Sequence, residues 1–117
     1  MLKTIEHMLD FVFNTWYNMD GYRLEQTEEY ERWRLLQPIK TRLQIAKRLL
    51  LIQQEGHFGD HKIVGNGVYE LRWENGRRVY YALIPPMNLL LLIGGNKNAQ
   101  SKDIQQAQRL YREWLGA

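Results

Sequence analysis

A chain of 117 residues, 44% hydrophobic and 25% charged, has the bulk for one domain with a single modest core and no more. Its lack of cysteine excludes a disulfide scaffold, a thiolate metal site and a cysteine nucleophile, and is compatible with a reducing cytoplasm, the expected location. The net charge of +3 is unevenly placed: residues 1–60 carry eight Lys/Arg against nine Asp/Glu, and residues 61–117 carry eight against four, which favours an acidic or polyanionic partner for the C-terminal half.

Leu2, Ile5, Leu9, Val12 and Trp16 recur at helical spacing and predict an amphipathic N-terminal helix. Glu6 and Asp10 interrupt it, so it has no secretory apolar core and cannot span a membrane. Lys3 is its only Lys/Arg, which argues for packing on the body or a second protomer rather than on a membrane surface. Residues 1–18 read as a helical extension, or as translated sequence upstream of a start at Met19, and residues 19–117 as the domain proper.

Met19 to Gln26 reads as a short edge strand. Thr27 then offers a hydroxyl cap with Glu28, Glu29 and Glu31 in the first turn, a good helix start. Gln37-Pro38 ends that helix, because the residue before proline is pushed out of the α region, and Pro38 opens a second one. Ile39, Leu43, Ala46 and Leu50 form its apolar stripe, widened by Leu49 and Ile52, and Gly56 stops it. The two helices make an αα-hairpin with one face for a sheet.

Beyond Gly56 the pattern shortens to strands over His61–Val64, Val68–Glu74, Arg77–Ile84 and Asn88–Ile93. Turn chemistry separates them at Gly65-Asn66-Gly67, Asn75-Gly76 and Pro85-Pro86. The run Leu89 to Ile93 suits a central strand buried on both faces. A Gly94-Gly95-Asn96-Lys97 turn leads into a last helix capped by Ser101, with a stripe of Ile104, Ala107, Tyr111 and Trp114. The predicted class is α+β: an N-terminal αα-hairpin on a small, mostly antiparallel sheet of four to five strands with a C-terminal helix.

The hairpin at Asn75-Gly76 has two candidate registers. A strict two-residue turn would pair Leu71 with Tyr80 and mix charge into the apolar side. A three-residue loop with a bulge instead puts Leu71, Trp73, Val79 and Tyr81 on one face and Glu70, Arg72, Arg78 and Tyr80 on the other. The second segregates polarity better, and it predicts a basic-aromatic patch. Arg72 and Arg78 could neutralise phosphates and Tyr80 could stack a base, with Lys62 and Lys97 bordering the surface and Arg77 beside it. The alternative is a set of cross-strand surface residues, with Arg72 and Arg78 paired to Glu70 or Glu74. His57 and His61 lack a third ligand nearby, so no metal site is expected, and Gly65-Asn66-Gly67 is too short for a phosphate loop. No cofactor is expected.

Val68 to Arg72 (Val-Tyr-Glu-Leu-Arg), Arg78 to Tyr81 (Arg-Val-Tyr-Tyr) and Gly94 to Lys97, followed by Gln100 and Asp103-Ile104, together resemble the RelE/ParE superfamily of bacterial toxins, in its addiction-module killer, HigB-like branch. The resemblance runs from Tyr22 to Leu115 and implies a RelE-like fold. It also implies the toxin of a type II toxin–antitoxin module, a ribosome-dependent mRNA endoribonuclease that arrests translation and growth. Arg72, Arg78 and Lys97 would then be the catalytic cations, and Lys62, Tyr80 and Arg77 would bind RNA. The alternatives are a ParE-like gyrase inhibitor without catalysis, and an inactive homologue serving as antitoxin partner and co-repressor. Some ribonuclease members carry a tyrosine early in the last helix. Here Asp103 and Ile104 stand nearby, which leaves Lys62, His61 or Tyr80 as substitutes. The implied partners are a cognate antitoxin of helix-turn-helix type, mRNA and the ribosome, with no membrane.

Overall fold

The structure is a computed structural model that describes residues 21–116; the helix expected over residues 1–18 and the first residues of the expected edge strand lie outside them. The elements run β1 (Arg23–Gln26), α1 (Glu28–Leu35), α2 (Ile39–Glu55), β2 (His61–Gly65), β3 (Val68–Arg72), β4 (Arg77–Ile84) and β5 (Asn88–Asn96), then a 3₁₀ turn (Lys97–Ala99) and α3 (Gln100–Trp114). The five strands form one sheet in the order β1-β5-β4-β3-β2. β1 lies parallel to β5 at one edge, and every other pairing is antiparallel. No helix among the described residues is long and apolar enough to cross a membrane.

Helices cover both faces of the sheet. Under α1 and α2, Tyr30, Ile45, Leu49 and Ile52 pack on Leu71, Val79, Tyr81, Leu89 and Leu91. Under α3, Ala107 and Leu110 pack on Val68, Tyr80, Ala82, Leu90, Leu92 and Ile93. Leu89 to Leu92 are fully buried, as a central strand covered on both faces requires. The register between β4 and β5 shifts after Tyr80, which faces Ile93 while Tyr81 faces Leu91. Leu92 is the extra residue of that bulge, so both Leu92 and Ile93 reach the α3 side.

The Thr27 cap forms and does a second job. Its hydroxyl accepts the Tyr30 N–H at 2.9 Å and donates to the Leu92 carbonyl at 2.7 Å, tying the start of α1 to β5. Gly56 ends α2 in the left-handed region at φ 65°.

Two expectations need correction. The inward face of α2 is Ile45, Leu49 and Ile52; Ile39 and Leu43 of the expected stripe stand 52% and 47% exposed. The helix is turned by about one residue, roughly 100°. Ile45 brings more apolar bulk to the sheet than Ala46, and leucines on several sides left the stripe's centre ambiguous. Gly94 to Lys97 is also not a turn. β5 continues to Asn96, paired opposite Arg77, and Asn96 rather than Ser101 supplies a cap: its Oδ1 accepts the Asn98 N–H at 2.8 Å. Ser101 lies inside the first turn of α3.

Candidate functional site

The β3–β4 hairpin adopts the three-residue loop. Glu70 faces Tyr80, Leu71 faces Val79 and Arg72 faces Arg78. The Trp73 N–H donates to the Arg77 carbonyl and the Gly76 N–H to the Trp73 carbonyl, each at 3.0 Å, with Gly76 at φ 96°. Only glycine takes that conformation without strain. Leu71, Val79 and Tyr81 are therefore buried under α1 and α2, and Trp73 is packed against them. Glu70, Arg72, Arg78 and Tyr80 share the α3 face, as the polarity argument required.

That face is a buried network with a half-exposed cation at its mouth. The Glu70 side chain is fully buried. Its Oε2 accepts from Gln100 Nε2 of α3 at 2.8 Å, and its Oε1 lies 3.5 Å from Arg72 Nε and 3.8 Å from Arg78 Nε. The Tyr80 hydroxyl lies against the same carboxylate. Burial first, then the Glu70 charge, hold the phenol well above its ordinary range, so it keeps its proton at neutral pH and can donate it toward the carboxylate. A carboxylate in such a place needs cationic and donor partners to offset its desolvation, and the two arginines and Gln100 provide them.

The expected site residues divide by exposure. The Arg72 side chain is 35% exposed, and among the described residues only Glu70 pairs with its guanidinium. Arg78 is buried; its Nη1 donates to the carbonyls of Trp73 at 3.2 Å and Arg77 at 3.0 Å, so much of its donor capacity goes into holding the hairpin tip. Lys62 is exposed on β2, opposite Glu70. Lys97 is exposed in the 3₁₀ turn: its N–H donates to the Gly76 carbonyl at 2.8 Å, and its stem passes 3.2 Å from where a Gly76 Cβ would stand.

Two residues do not join that surface as expected. Tyr80 has no exposed ring to stack a base, because α3 covers it. Arg77 points to the other face, where its amino groups donate to Gln44 Oε1 at 2.7 Å and Thr41 Oγ1 at 3.2 Å; burial lowers its pKa from the usual guanidinium value. Alternation along β4 sends Arg77 and Arg78 to opposite sides.

The paired glycines of β5 are explained by what lies over them. A Cβ on Gly94 would come within 2.3 Å of the Trp33 ring of α1, and a Cβ on Gly95 within 2.0 Å of Asp103 Oδ2 of α3. Each glycine thus admits a side chain onto the strand backbone, one per face. Asp103 has its carboxyl pushed up, chiefly by burial, with a backbone hydrogen bond from Asn96 opposing that. Sequence reasoning missed Gln100 and Asp103 as members of this cluster; the Gly-Gly pair, read as close approach rather than as a turn, was the available signal. Arg48 was missed too. It donates to the carbonyls of Phe58, Asp60 and Arg72 and lies 4.5 Å over the Trp73 ring, fixing the end of β3 from which Arg72 projects.

No protein-family model matches the chain. The fold is similar to that of a chain in the crystal structure of the toxin–antitoxin complex RelBE2 from Mycobacterium tuberculosis, with a TM-score of 0.55 and 14% identity, over 68% of this chain and 94% of that one. In sequence, an uncharacterised protein of Haemophilus influenzae is 35% identical over 94 residues, spanning 78% of this chain and 94% of its own length. The chain belongs to the same family as that Haemophilus protein.

Proposed function

We propose that this chain is the toxin of a type II toxin–antitoxin pair, of the addiction-module killer branch, and that it is a ribosome-dependent endoribonuclease that cuts mRNA and stops translation in the cytoplasm. The observation that carries this is the α3 face: a half-exposed Arg72 oriented by a buried carboxylate, with exposed Lys62 and Lys97 at its margins. The fold shared with a chain of a toxin–antitoxin complex supports the same class.

Cleavage would proceed by attack of a 2′-hydroxyl on the adjacent phosphorus: the O2′–P bond forms as the hydroxyl proton passes to water, and the P–O5′ bond breaks as the leaving 5′-oxygen takes a proton. Arg72 and Lys97 neutralise the charge that grows on the phosphorane-like transition state, where preplaced cations act most strongly. Arg78 contributes by holding the hairpin tip and sharing Glu70. Of the groups considered for proton transfer, His61 packs 5.5 Å from Phe58 toward the other face and Tyr80 is buried. Lys62 remains, with an ammonium proton to give to the leaving oxygen.

A cognate antitoxin, of the helix-turn-helix type that the resemblance implies, would silence the protein by covering this face. One observation favours a second reading. With Tyr80 and Arg78 largely withdrawn into the fold, an inactive homologue that serves as antitoxin partner and co-repressor would keep the same buried network.

Induced expression without antitoxin, followed by primer extension on cellular mRNA, tests the proposal. Growth arrest with new cuts inside translated frames is the expected result. Arrest with intact mRNA and filamentous cells would indicate a gyrase inhibitor instead, and no arrest would indicate the inactive partner.

A further inference from the structure

A second concavity lies at the same end of the molecule, beyond the hairpin tip. It is a recess of about 290 Å³ lined by Trp33 and Gln37 from α1, Asn75 and Arg77 from the β3–β4 hairpin, and Gly95 and Asn96 from the end of β5. We propose that this recess is a nucleobase pocket, which holds one base of a single-stranded RNA whose backbone crosses the hairpin tip from the Arg72 and Lys97 side. The inference rests on the ribonuclease reading and adds to it a site for base selection.

Trp33 is fixed in place: its six-membered ring lies on Gly94, and it packs at 5.8 Å from Tyr30. A half-buried indole held in this way is a stacking platform that loses little freedom when a base settles on it. Tyr80 cannot play that part, whereas Trp33 lines the recess beside Asn75 and Asn96.

The carboxamides around the indole are also committed, each by one internal bond. Gln37 Nε2 donates to the Trp33 carbonyl at 3.0 Å, which leaves its Oε1 as an acceptor. Asn75 Oδ1 accepts the Arg77 N–H at 3.0 Å and Asn96 Oδ1 accepts the Asn98 N–H at 2.8 Å, which leaves both Nδ2 groups as donors. Two donors and one acceptor complement a base edge with two acceptors and one donor, as cytosine presents. None of the six lining residues is acidic, and Arg77 adds a cation whose amino groups keep spare N–H donors after serving Gln44 and Thr41. A polar recess of this charge fits an anionic ligand with a planar hydrogen-bonding edge better than an apolar peptide.

The path between the two sites is short in the fold. Asn75 and Gly76 form the hairpin tip, Lys97 lies across Gly76, and Asn96 immediately precedes Lys97. One nucleotide can therefore present its phosphate near Lys97 while its neighbour's base turns over the tip.

Fluorescence anisotropy of labelled five-nucleotide RNAs (C5, U5 and A5) with the purified full chain tests this. The expected result is tightest binding to C5. Gln37→Ala should weaken C5 binding roughly three- to tenfold and flatten the order among the three RNAs, while Arg72→Ala weakens all three alike. Trp33→Leu should cost about fivefold to a hundredfold; because Trp33 also supports the fold, Gln37→Ala carries the decision. Unchanged affinity and base order in Gln37→Ala would overturn the pocket. No binding of any RNA by the wild type would overturn it as well. If cuts still appear in cellular mRNA on expression, the pocket alone fails; if they do not, the ribonuclease reading fails with it.

Discussion

The two faces of the sheet are built from alternate residues of the same strands and end in different chemistry. Under α1 and α2 the alternation gives Leu71, Val79, Tyr81, Leu89 and Leu91, a continuous apolar layer from β3 to β5. Under α3 it gives the apolar Val68, Ala82, Leu90 and Leu92 at one end and Glu70, Arg72, Arg78 and Tyr80 at the other. The first face gains from burial throughout. The second sets apolar burial against the cost of desolvating a carboxylate and a guanidinium, a cost that a structure carries more readily where the charges also act on something. The function proposed above rests on the α3 face, and each face should respond differently when it is disturbed.

The largest stability effect is expected on the charged side. Glu70→Gln keeps the shape but leaves buried Arg78 without a counter-charge, a loss of about 3–5 kcal/mol in urea denaturation. A matched truncation on the apolar side, Leu91→Ala, should cost about 2–5 kcal/mol from lost burial and the cavity left behind. Both losses should depend little on salt, because buried charges are screened far less than exposed ones.

The adjacent glycines divide the faces more finely. Gly94→Ala drives a methyl into the Trp33 ring, which cannot move far between β5 and Tyr30, and should destabilise by about 1–3 kcal/mol. Gly95→Ala meets the end of the Asp103 side chain, which can swing away, so its cost should be smaller and should disappear in Gly95→Ala combined with Asp103→Ala. Thermal midpoints of these three variants and of Asp103→Ala alone check both statements.

The smallest effect is in the pH profile. Burial holds Tyr80 on the α3 face and Tyr81 on the other above the ordinary phenol value. Their folded-state values exceed the unfolded one of about 10, so the stability they contribute is complete below pH 10 and is lost as the pH rises through 10 toward the folded values. Tyr81→Phe should flatten that alkaline decline with little change at neutral pH. Tyr80→Phe should flatten it and also remove a donor beside Glu70.

Much of this architecture was legible in the sequence where one physical term dominated. Polarity segregation alone chose the register at Asn75-Gly76, because a one-residue slip would have put Arg72 among apolar side chains. The Thr27 cap, the Pro38 break and the Gly56 stop were readable because each is a local steric or hydrogen-bonding matter. What could not be read depended on residues distant in the chain. The turn of α2 about its axis was hidden because its leucines are spread around the helix. The continuation of β5 through two glycines required knowing that Trp33 and Asp103 lie over them. The withdrawal of Tyr80 and Arg78 from solvent depended on where α3 docks, which no local pattern encodes. Of the expected site, Arg72, Lys62 and Lys97 stand where a substrate could reach them, while Arg77 serves the opposite face.

The most direct test compares cleavage of a defined mRNA on translating ribosomes by the purified wild type and by Arg72→Ala, with urea denaturation run on both. Arg72→Ala should lower the rate by about a hundredfold or more, while costing only about 1–3 kcal/mol of stability, because Glu70 keeps Arg78 and Gln100 as partners. An Arg72→Ala protein that cuts at the wild-type rate would contradict the assignment of function to the α3 face.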